Sequence, residues 1–276
     1  MTTNPRLLME EFGLQPKKSL GQNFLHDPNA LEKIVVTAEL MPEETVIEIG
    51  PGTGALTAHL AQVARHVVAI EVDERLRPVL EAELAQYANV YLVFEDALKV
   101  DLLQLVGTRG YVVVANLPYY ITSALLRHVL EVHRRPRRVV VTVQRELAER
   151  IIAKPGNMSL LAVSVQYYGK PRIVTRLKPA AFWPRPDVES AVLSIETYDK
   201  SPVDVPDDAT FFRVVRAGFS LKRKQLKNAL SSGLGITTAQ AATIIEAADI
   251  DPRRRAETLS LEEWGALSRQ VASAGV

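Results

Sequence analysis

The chain has no cysteine. Disulfides, thiolate metal sites and a cysteine nucleophile are excluded at once. Histidine is sparse. Five copies are scattered over 276 residues, none at a spacing such as His-Glu-x-x-His, and no metal is expected. Long apolar runs are missing as well. No stretch holds the roughly 18 consecutive apolar residues that a membrane helix needs, and the N-terminus lacks a signal-peptide apolar core. The expectation is a cytoplasmic protein with no membrane partner. An excess of one charge is also lacking. With 33 Lys and Arg against 32 Asp and Glu, the formal net charge is only +1. The total does not announce a nucleic-acid binder, so the distribution has to be read.

Hydrophobic content of 47% and charged content of 24% fit a packed globular protein. The length suits one large domain plus a small one. A polar Pro/Asp-rich stretch at 198–209 has no apolar period, which sets the expected domains at 1–199 and 200–276. Between Asp208 and Glu246 there is no acid, yet Arg213, Arg216, Lys222, Arg223, Lys224 and Lys227 all fall there. A second basic cluster is Arg134, Arg135, Arg137 and Arg138. Patches of this kind on a near-neutral protein suit a phosphate backbone, although a solvated face is the commoner origin of any one charge run.

The order of elements points to an α/β fold. Residues 1–26 carry few periodic signals and are expected to form an arm or loop. Asp27-Pro28 starts a helix, with Asp as cap and Pro at the first position. Short β-rich runs at 45–49, 66–70, 89–94, 111–115 and 138–143 alternate with helical patterns. That alternation predicts a mostly parallel sheet with helices on both faces. Ser159 as a cap favours a helix up to Tyr168. Residues 173–177 and 190–195 are expected as a final, antiparallel strand pair. After 209 the chain reads as helices, one of them capped by Ser220 and closed by Gly233, with further helices near 238–247 and 260–272.

Asn116-Leu117-Pro118-Tyr119 follows the fourth strand, at the sheet end where open α/β folds bind ligands. The exocyclic amino group of a nucleobase is a poor nucleophile, because its lone pair is delocalised into the ring. An Asn116 side-chain oxygen and a backbone carbonyl, the one before the proline or that of Pro118 itself, can accept both its protons, hold them off-plane and return lone-pair density to nitrogen. Tyr119 offers a ring for an extruded base. Taken alone, the tetrapeptide is equally well explained as a strand-ending turn with a core tyrosine. Phe182 and Trp183 lie in a loop stiffened by Pro184 and Pro186. Phe182 is expected to complete a base sandwich with Tyr119, and Trp183 to cover the sheet edge.

The first strand runs into Gly50-Pro51-Gly52-Thr53-Gly54 and then a helix, the context in which a glycine loop lets backbone pass close to a ligand. Glu71 ends the second strand, where an acid takes ribose hydroxyls. A dinucleotide or S-adenosylmethionine would both fit. The Gly-x-Gly-x-Gly spacing departs from the pyrophosphate-cradling pattern, Glu48 would be awkward beside a pyrophosphate, and a hydride transfer has no use for an amino-group clamp. Methyl transfer is the reading these residues favour. Asp96, after the third strand, is placed to accept from an adenine amino group or to cap a turn.

Five motifs then occur in order: Leu20-Gly-Gln-Asn23-Phe24-Leu25, Glu48-Ile-Gly50-Pro-Gly52-Thr-Gly54-Ala-Leu56-Thr57, Asn116-Leu-Pro118-Tyr119, Gln144-Arg-Glu146 and Phe182-x-Pro184-x-Pro186-x-Val188-x-Ser190. Together they resemble the rRNA adenine dimethyltransferase family over residues 17 to 230. The basic run from Phe219 to Asn228 resembles that family's C-terminal domain, which favours the small-subunit branch over the related Erm methyltransferases of large-subunit rRNA.

The resemblance implies a Rossmann-like S-adenosylmethionine-dependent methyltransferase domain with a small all-α C-terminal domain. It implies dimethylation of N6 on two adjacent adenosines in the 3′-terminal hairpin of small-subunit rRNA, within an assembling 30S particle, by a monomer without a metal. Carried onto this sequence, Asn23 and Leu25 close over the cofactor, and Gly50 and Gly52 pass its methionine end. Glu71 holds the ribose, Asp96 meets the adenine amino group, and Asn116 touches cofactor and target. Leu117, Pro118, Tyr119 and Phe182 complete the target site, and Arg216, Lys222, Arg223, Lys224 and Lys227 contact rRNA. An assembly factor in which methyl transfer is secondary is the alternative from another class.

Overall fold

The structure is a computed structural model that describes residues 4–107 and 110–276. Its strands are β1 (Phe24–Leu25), β2 (Thr45–Ile49), β3 (His66–Glu71), β4 (Val90–Phe94), β5 (Tyr111–Asn116), β6 (Arg138–Gln144), β7 (Gly169–Leu177), β8 (Phe182–Trp183) and β9 (Ser190–Thr197). Seven of them form one sheet in the order β4-β3-β2-β5-β6-β9-β7. The β2–β3, β2–β5, β3–β4 and β5–β6 pairs are parallel, and β6–β9 is antiparallel. Parallel strands covered on both faces need apolar side chains on both, which is why β2 and β6 read as near-continuous Val/Ile runs rather than alternating ones. Val46, Val112, Val114, Val140 and Val192 pack with Leu31 and Ile34 of the helix Pro28–Ala38 in one buried cluster. The order reverses on either side of β2, so the carboxyl ends of β2 and β5 flank a switch point, the position where such sheets take ligands.

The chain divides into two compact units. One comprises the residues up to Ala148 together with Pro171–Thr197, and the other Glu149–Lys170 together with Tyr198–Val276. The segment 149–170 thus groups with the C-terminal helices instead of with residues 1–199. Its helix, Leu160–Tyr168, explains this. Tyr167 stacks on Phe211 at 4.3 Å between ring centres, and its hydroxyl donates to Asp208 at 2.6 Å.

The N-terminal stretch forms the ordered arm expected of it, with secondary structure that its lack of period did not announce. Asn4 caps a helix over Pro5–Glu11, a 3-10 turn covers Lys18–Leu20, and β1 pairs antiparallel with β8, Phe24 with Trp183 and Leu25 with Phe182. The helix after the glycine loop spans Ala55–Ala61, and Val63, just beyond its end, is exposed.

In the second unit the helices are Asp208–Phe219, Leu226–Leu234, Thr238–Ala247 and Leu261–Ser273 in addition to Leu160–Tyr168. The basic helix begins at Leu226, so Ser220 does not cap it. Residues 220–225 form a turn, and Gly235 (φ 72) closes the helix. Gly233 lies inside the helix for a different reason. A Cβ there would stand 2.5 Å from the Ala217 Cα, so a side chain is incompatible with the close crossing of the two helices.

Candidate active site

At the carboxyl end of the sheet lies a cavity of about 260 Å³. Its walls come from the N-terminal arm, the loop after β2, the ends of β3 and β4, the segment after β5, and β8. Asn23, Gly50, Gly52, Glu71, Asp96, Asn116, Leu117, Pro118, Tyr119 and Phe182 all line it. Ten of the residues singled out from sequence therefore meet in one space. Leu25 does not line it. Its side chain belongs to the core cluster, and its neighbourhood to the site runs through the backbone pairing with Phe182. Glu48 does not line it either, being 1% exposed within β2.

Asn116 ends β5, where its peptide continues the ladder to Thr142 of β6. Its side-chain Nδ2 donates to the Asn23 carbonyl at 2.9 Å. Asn23 is held in turn, its own Nδ2 donating to the Gly21 carbonyl at 3.1 Å. With Nδ2 committed, Asn116 Oδ1 is the end left to accept from a ligand. The Pro118 carbonyl is not available as a partner acceptor. It takes a hydrogen bond from Thr122 Oγ1 at 3.1 Å and another from the Ile121 N–H at 3.3 Å, as the chain turns into the helix Thr122–Leu130. A carbonyl oxygen has two lone pairs, and both are used. The free acceptor is one residue earlier. The Leu117 N–H is bonded to the Thr142 carbonyl at 3.3 Å, and the Leu117 carbonyl accepts nothing among the described residues. This rules out the Pro118 carbonyl expected from sequence and leaves the one before the proline.

The acids at the strand ends are strongly tied. Glu71 accepts from the N–H groups of Gly52 at 3.2 Å, Val72 at 3.0 Å and Asp73 at 2.9 Å. Burial pushes its carboxyl above the usual range, and these three bonds pull against the rise. Asp96 also closes its own turn, accepting from the Leu98 N–H at 3.0 Å. The turn-closing role is thus present, at a residue that also lines the cavity. Glu48 is pushed up to about 8 by burial, and the Glu71 charge adds to the rise. Its Oε2 and the Thr57 Oγ1 are both buried without a hydrogen-bond partner, so the nearby hydroxyl offsets only part of it.

Several lining residues had no role assigned from sequence, among them Gln22, Phe24 and Tyr120. The first two sit in the same motif as Asn23, which was their available signal. Gln22 accepts from the Lys17 N–H at 2.7 Å and donates to Asp73 at 2.8 Å, tying the arm to the end of β3. The Phe24 ring stands over the glycine loop. A Cβ on Gly52 (φ 60) would lie 2.7 Å from its Cδ1, so only glycine lets the arm come down there. Tyr119 donates to or accepts from Ser190 Oγ at 2.8 Å, and burial pushes its phenol up, so the ring is neutral and fixed.

The cavity fits an adenosyl cofactor on its own chemistry. It pairs apolar walls (Ile49, Ile70, Val72, Leu98) with one carboxylate for a diol, a second for an amino group, and a glycine loop whose space a side chain would fill. No grouping of three or more His, Cys, Asp or Glu capable of holding a metal occurs among the described residues. No helix among them is long and apolar enough to cross a membrane.

The five residues expected to contact RNA lie in the second unit. Arg216, Lys222, Arg223 and Lys224 are exposed, Lys227 is half-buried, and none forms an ion pair among the described residues. The other cluster is different. Arg137 pairs with Glu44 through two bonds of 2.7 Å and also donates to the Glu39 carbonyl at 2.7 Å. Arg138, 6% exposed, binds Glu39 at 2.5 Å and the Thr37 carbonyl at 3.0 Å. Arg134 and Arg135 donate to the Gly107 and Leu130 carbonyls. These four arginines staple the amino end of β6 to its surroundings and are not a phosphate patch.

Comparison with known proteins points the same way. The family model described as Ribosomal RNA adenine dimethylase matches residues 13–267. A protein of Moorella thermoacetica named Ribosomal RNA small subunit methyltransferase A is 47% identical over 275 residues, covering 96% of this chain and 95% of its own length. One of the same name from Dehalococcoides mccartyi is 44% identical over 266 residues, covering 96% and 91%. Among solved structures, the 23S rRNA methyltransferase ErmE matches with a TM-score of 0.72 at 25% identity, covering 91% of this chain and 100% of that one. A dimethyladenosine transferase from Plasmodium falciparum has the same fold, with a TM-score of 0.79 at 24% identity over 92% and 98%.

Proposed function

Since the chain belongs to the ribosomal RNA adenine dimethylase family, we propose that it dimethylates N6 of two adjacent adenosines in the 3′-terminal hairpin of small-subunit (16S) rRNA. The substrate is an assembling 30S particle, and the enzyme is a cytoplasmic monomer working without a metal. When bound, S-adenosylmethionine supplies an electrophilic methyl group on a sulfonium. Asn23, Gly50, Gly52, Glu71 and Asp96 would hold it. Identity of 44–47% to proteins named for the small subunit, against 25% to the large-subunit enzyme ErmE, supports the small-subunit substrate.

The observation that carries the reading is the pair of open acceptors at the end of β5. Asn116 Oδ1 is turned outward by the bond from its Nδ2 to Asn23, and the Leu117 carbonyl is unpartnered. Two acceptors on one amino group fix its protons and aim the nitrogen lone pair. Preorganised positioning of this kind is the main resource of a transfer whose leaving group is already activated. The lone pair would form the new N–C bond as the methyl–sulfur bond breaks and leaves its electron pair on sulfur. The nitrogen would become cationic and its proton would then leave to water, so no strong base is required. Tyr119 and Phe182 would stack the extruded base. The monomethyl product keeps a lone pair and one N–H, so the same acceptors serve a second round.

The test is mass spectrometry of small-subunit rRNA after incubation of the protein with S-adenosylmethionine and under-methylated 30S particles. Four methyl groups on one 3′-terminal fragment are expected. Asn116→Ala should lower kcat by roughly 10² to 10³ while cofactor affinity changes far less. Full turnover by that variant would sink the mechanism. Methylation of large-subunit RNA instead would move the chain to the other branch. The unpaired basic residues of the second unit favour a concurrent role as an assembly factor, which predicts particle binding by Asn116→Ala at parental affinity.

A further inference from the structure

A second space adjoins the cavity and has no role in the account so far. It is a groove of about 690 Å³, within the range of ligand sites. Gly21, Gln22, Asn23 and Tyr119 form a wall of both spaces. Beyond that wall the groove is lined by Lys18 on one side and by Trp183, Pro184, Arg185 and Pro186 on the other. Lys18 and Arg185 are exposed and form no ion pair among the described residues. The one acid in the lining is Asp187, so the balance is cationic. Trp183 is half-buried. Phe24 covers it on one side at 6.2 Å between ring centres, and it still borders the groove.

This combination has a chemical meaning. A base extruded onto Tyr119 remains joined to its strand, and the strand has to leave past the residues around Tyr119. Cations without partners attract phosphate, and a fixed aromatic beside two prolines gives a neighbouring base an apolar, sequence-tolerant surface. We propose that the groove is the subsite for the nucleotide adjacent to the one being methylated, with Lys18 and Arg185 taking its phosphate and Trp183, Pro184 and Pro186 facing its base. The inference rests on the rRNA reading above and deepens it. Two neighbouring adenosines are modified by one site, so the groove receives one of them while the other reacts. Its apolar wall accepts that base with or without methyl groups on N6, which a hydrogen-bonding wall would not.

The experiment measures methyl transfer to under-methylated 30S particles across a salt series, with cofactor affinity determined in parallel. The variants are Lys18→Ala, Arg185→Ala, their combination, and Arg65→Ala as a control at the amino end of β3, opposite the site. The double variant should lose roughly tenfold or more in kcat/KM, and its logarithmic salt slope should flatten by about 0.7, the value for one single-strand phosphate. Cofactor affinity should stay within about twofold of the parent, and Arg65→Ala should match the parent throughout. Trp183→Phe should retain the ratio of methylation at the two adenosines, and Trp183→Leu should shift it. An unchanged slope and kcat/KM in the double variant, or an equal loss in Arg65→Ala, would overturn the subsite while leaving the methyltransferase reading intact. Failure of the parent protein to methylate the particles would remove both.

Discussion

The two basic clusters look alike as runs of positive charge in the sequence and differ in how that charge is balanced. Arg134, Arg135, Arg137 and Arg138 each donate to a carboxylate or a backbone carbonyl, and Arg138 is buried. Arg216, Lys222, Arg223, Lys224 and Lys227 have no acid beside them, and most stand in water around a turn. The difference lies in what each charge does with its counter-charge. The first cluster has its counter-ions built in and contributes to stability. The second leaves them to be supplied from outside, which is what a polyanion does when it releases the salt ions around it. A run of arginines in a sequence therefore says little until the acids that fold against it are known.

The largest expected effect would break the first cluster. Arg137→Ala leaves Glu44 7% exposed at its side chain without its guanidinium partner. A buried charge stripped of its partner costs about 3 to 5 kcal/mol, read from the denaturant midpoint, while the salt dependence of RNA binding is expected to stay as in the parent. A variant that kept its stability and lost RNA affinity would refute the division. Although burial pushes the Glu44 carboxyl up, the Arg137 guanidinium and the Met41 N–H outweigh it, and the carboxyl sits below its ordinary value. Its contribution is thus present at neutral pH and fades as pH falls through that lowered value.

Glu48 sharpens the comparison as the case of a buried charge with no counter-ion at all. Its carboxyl is raised to about 8, so the folded state holds a proton that the unfolded state has lost. Stability should therefore fall as pH rises from the ordinary carboxylate range toward 8. Glu48→Gln stays neutral throughout. It should match the parent near pH 5 and exceed it at pH 8 by at most about 4 kcal/mol, in paired melts at the two pH values. A parallel pH dependence of the two proteins would count against a protonated Glu48.

Gly233→Ala probes packing beside the exposed cluster without touching a charge. Inserting a Cβ 2.5 Å from the Ala217 Cα should cost about 1 to 3 kcal/mol by overpacking, and a neutral result would mean the helix crossing relaxes freely. The smallest effect on stability belongs to the second cluster itself. Replacing Lys222, Arg223 and Lys224 together by Ala should change unfolding free energy by no more than about 0.5 kcal/mol, yet flatten the salt slope of particle binding by roughly 2. A loss of stability above that, with an unaltered slope, would put these residues among the structural arginines.

Much of the first unit was legible because its information is local. The valine-rich runs that became β5 and β6, the Asp27-Pro28 helix start and the glycine loop before Ala55 each specify their own conformation. The site residues were legible for the same reason, since strand ends and glycine loops have fixed positions in this topology. The failures share the opposite property. The β1 strand forms only because residues 182–183 arrive beside it. The Pro118 carbonyl was misassigned because Thr122, one helical turn on, claims it. Gly233 looked like a stop signal, and its meaning lies in Ala217 on another helix. Helix Leu160–Tyr168 showed its type through Ser159, but not that Tyr167 would select Phe211 as its neighbour.

The pairing of β1 with β8 also sets an order in time. A ribosome synthesising this chain makes Asn23, Phe24 and Leu25 near the start, and the strand that receives them only at Phe182 and Trp183. By the later part of that interval the glycine loop and the Asn116 tetrapeptide are both made, while the arm beside them has nothing to pair with. Nascent chains stalled before Phe182 are therefore expected to bind cofactor poorly, and chains stalled after Trp183 to bind it well. On that expectation, competence comes late in translation, and a product cut short upstream of Phe182 carries every glycine of the loop without the strand that seats the arm.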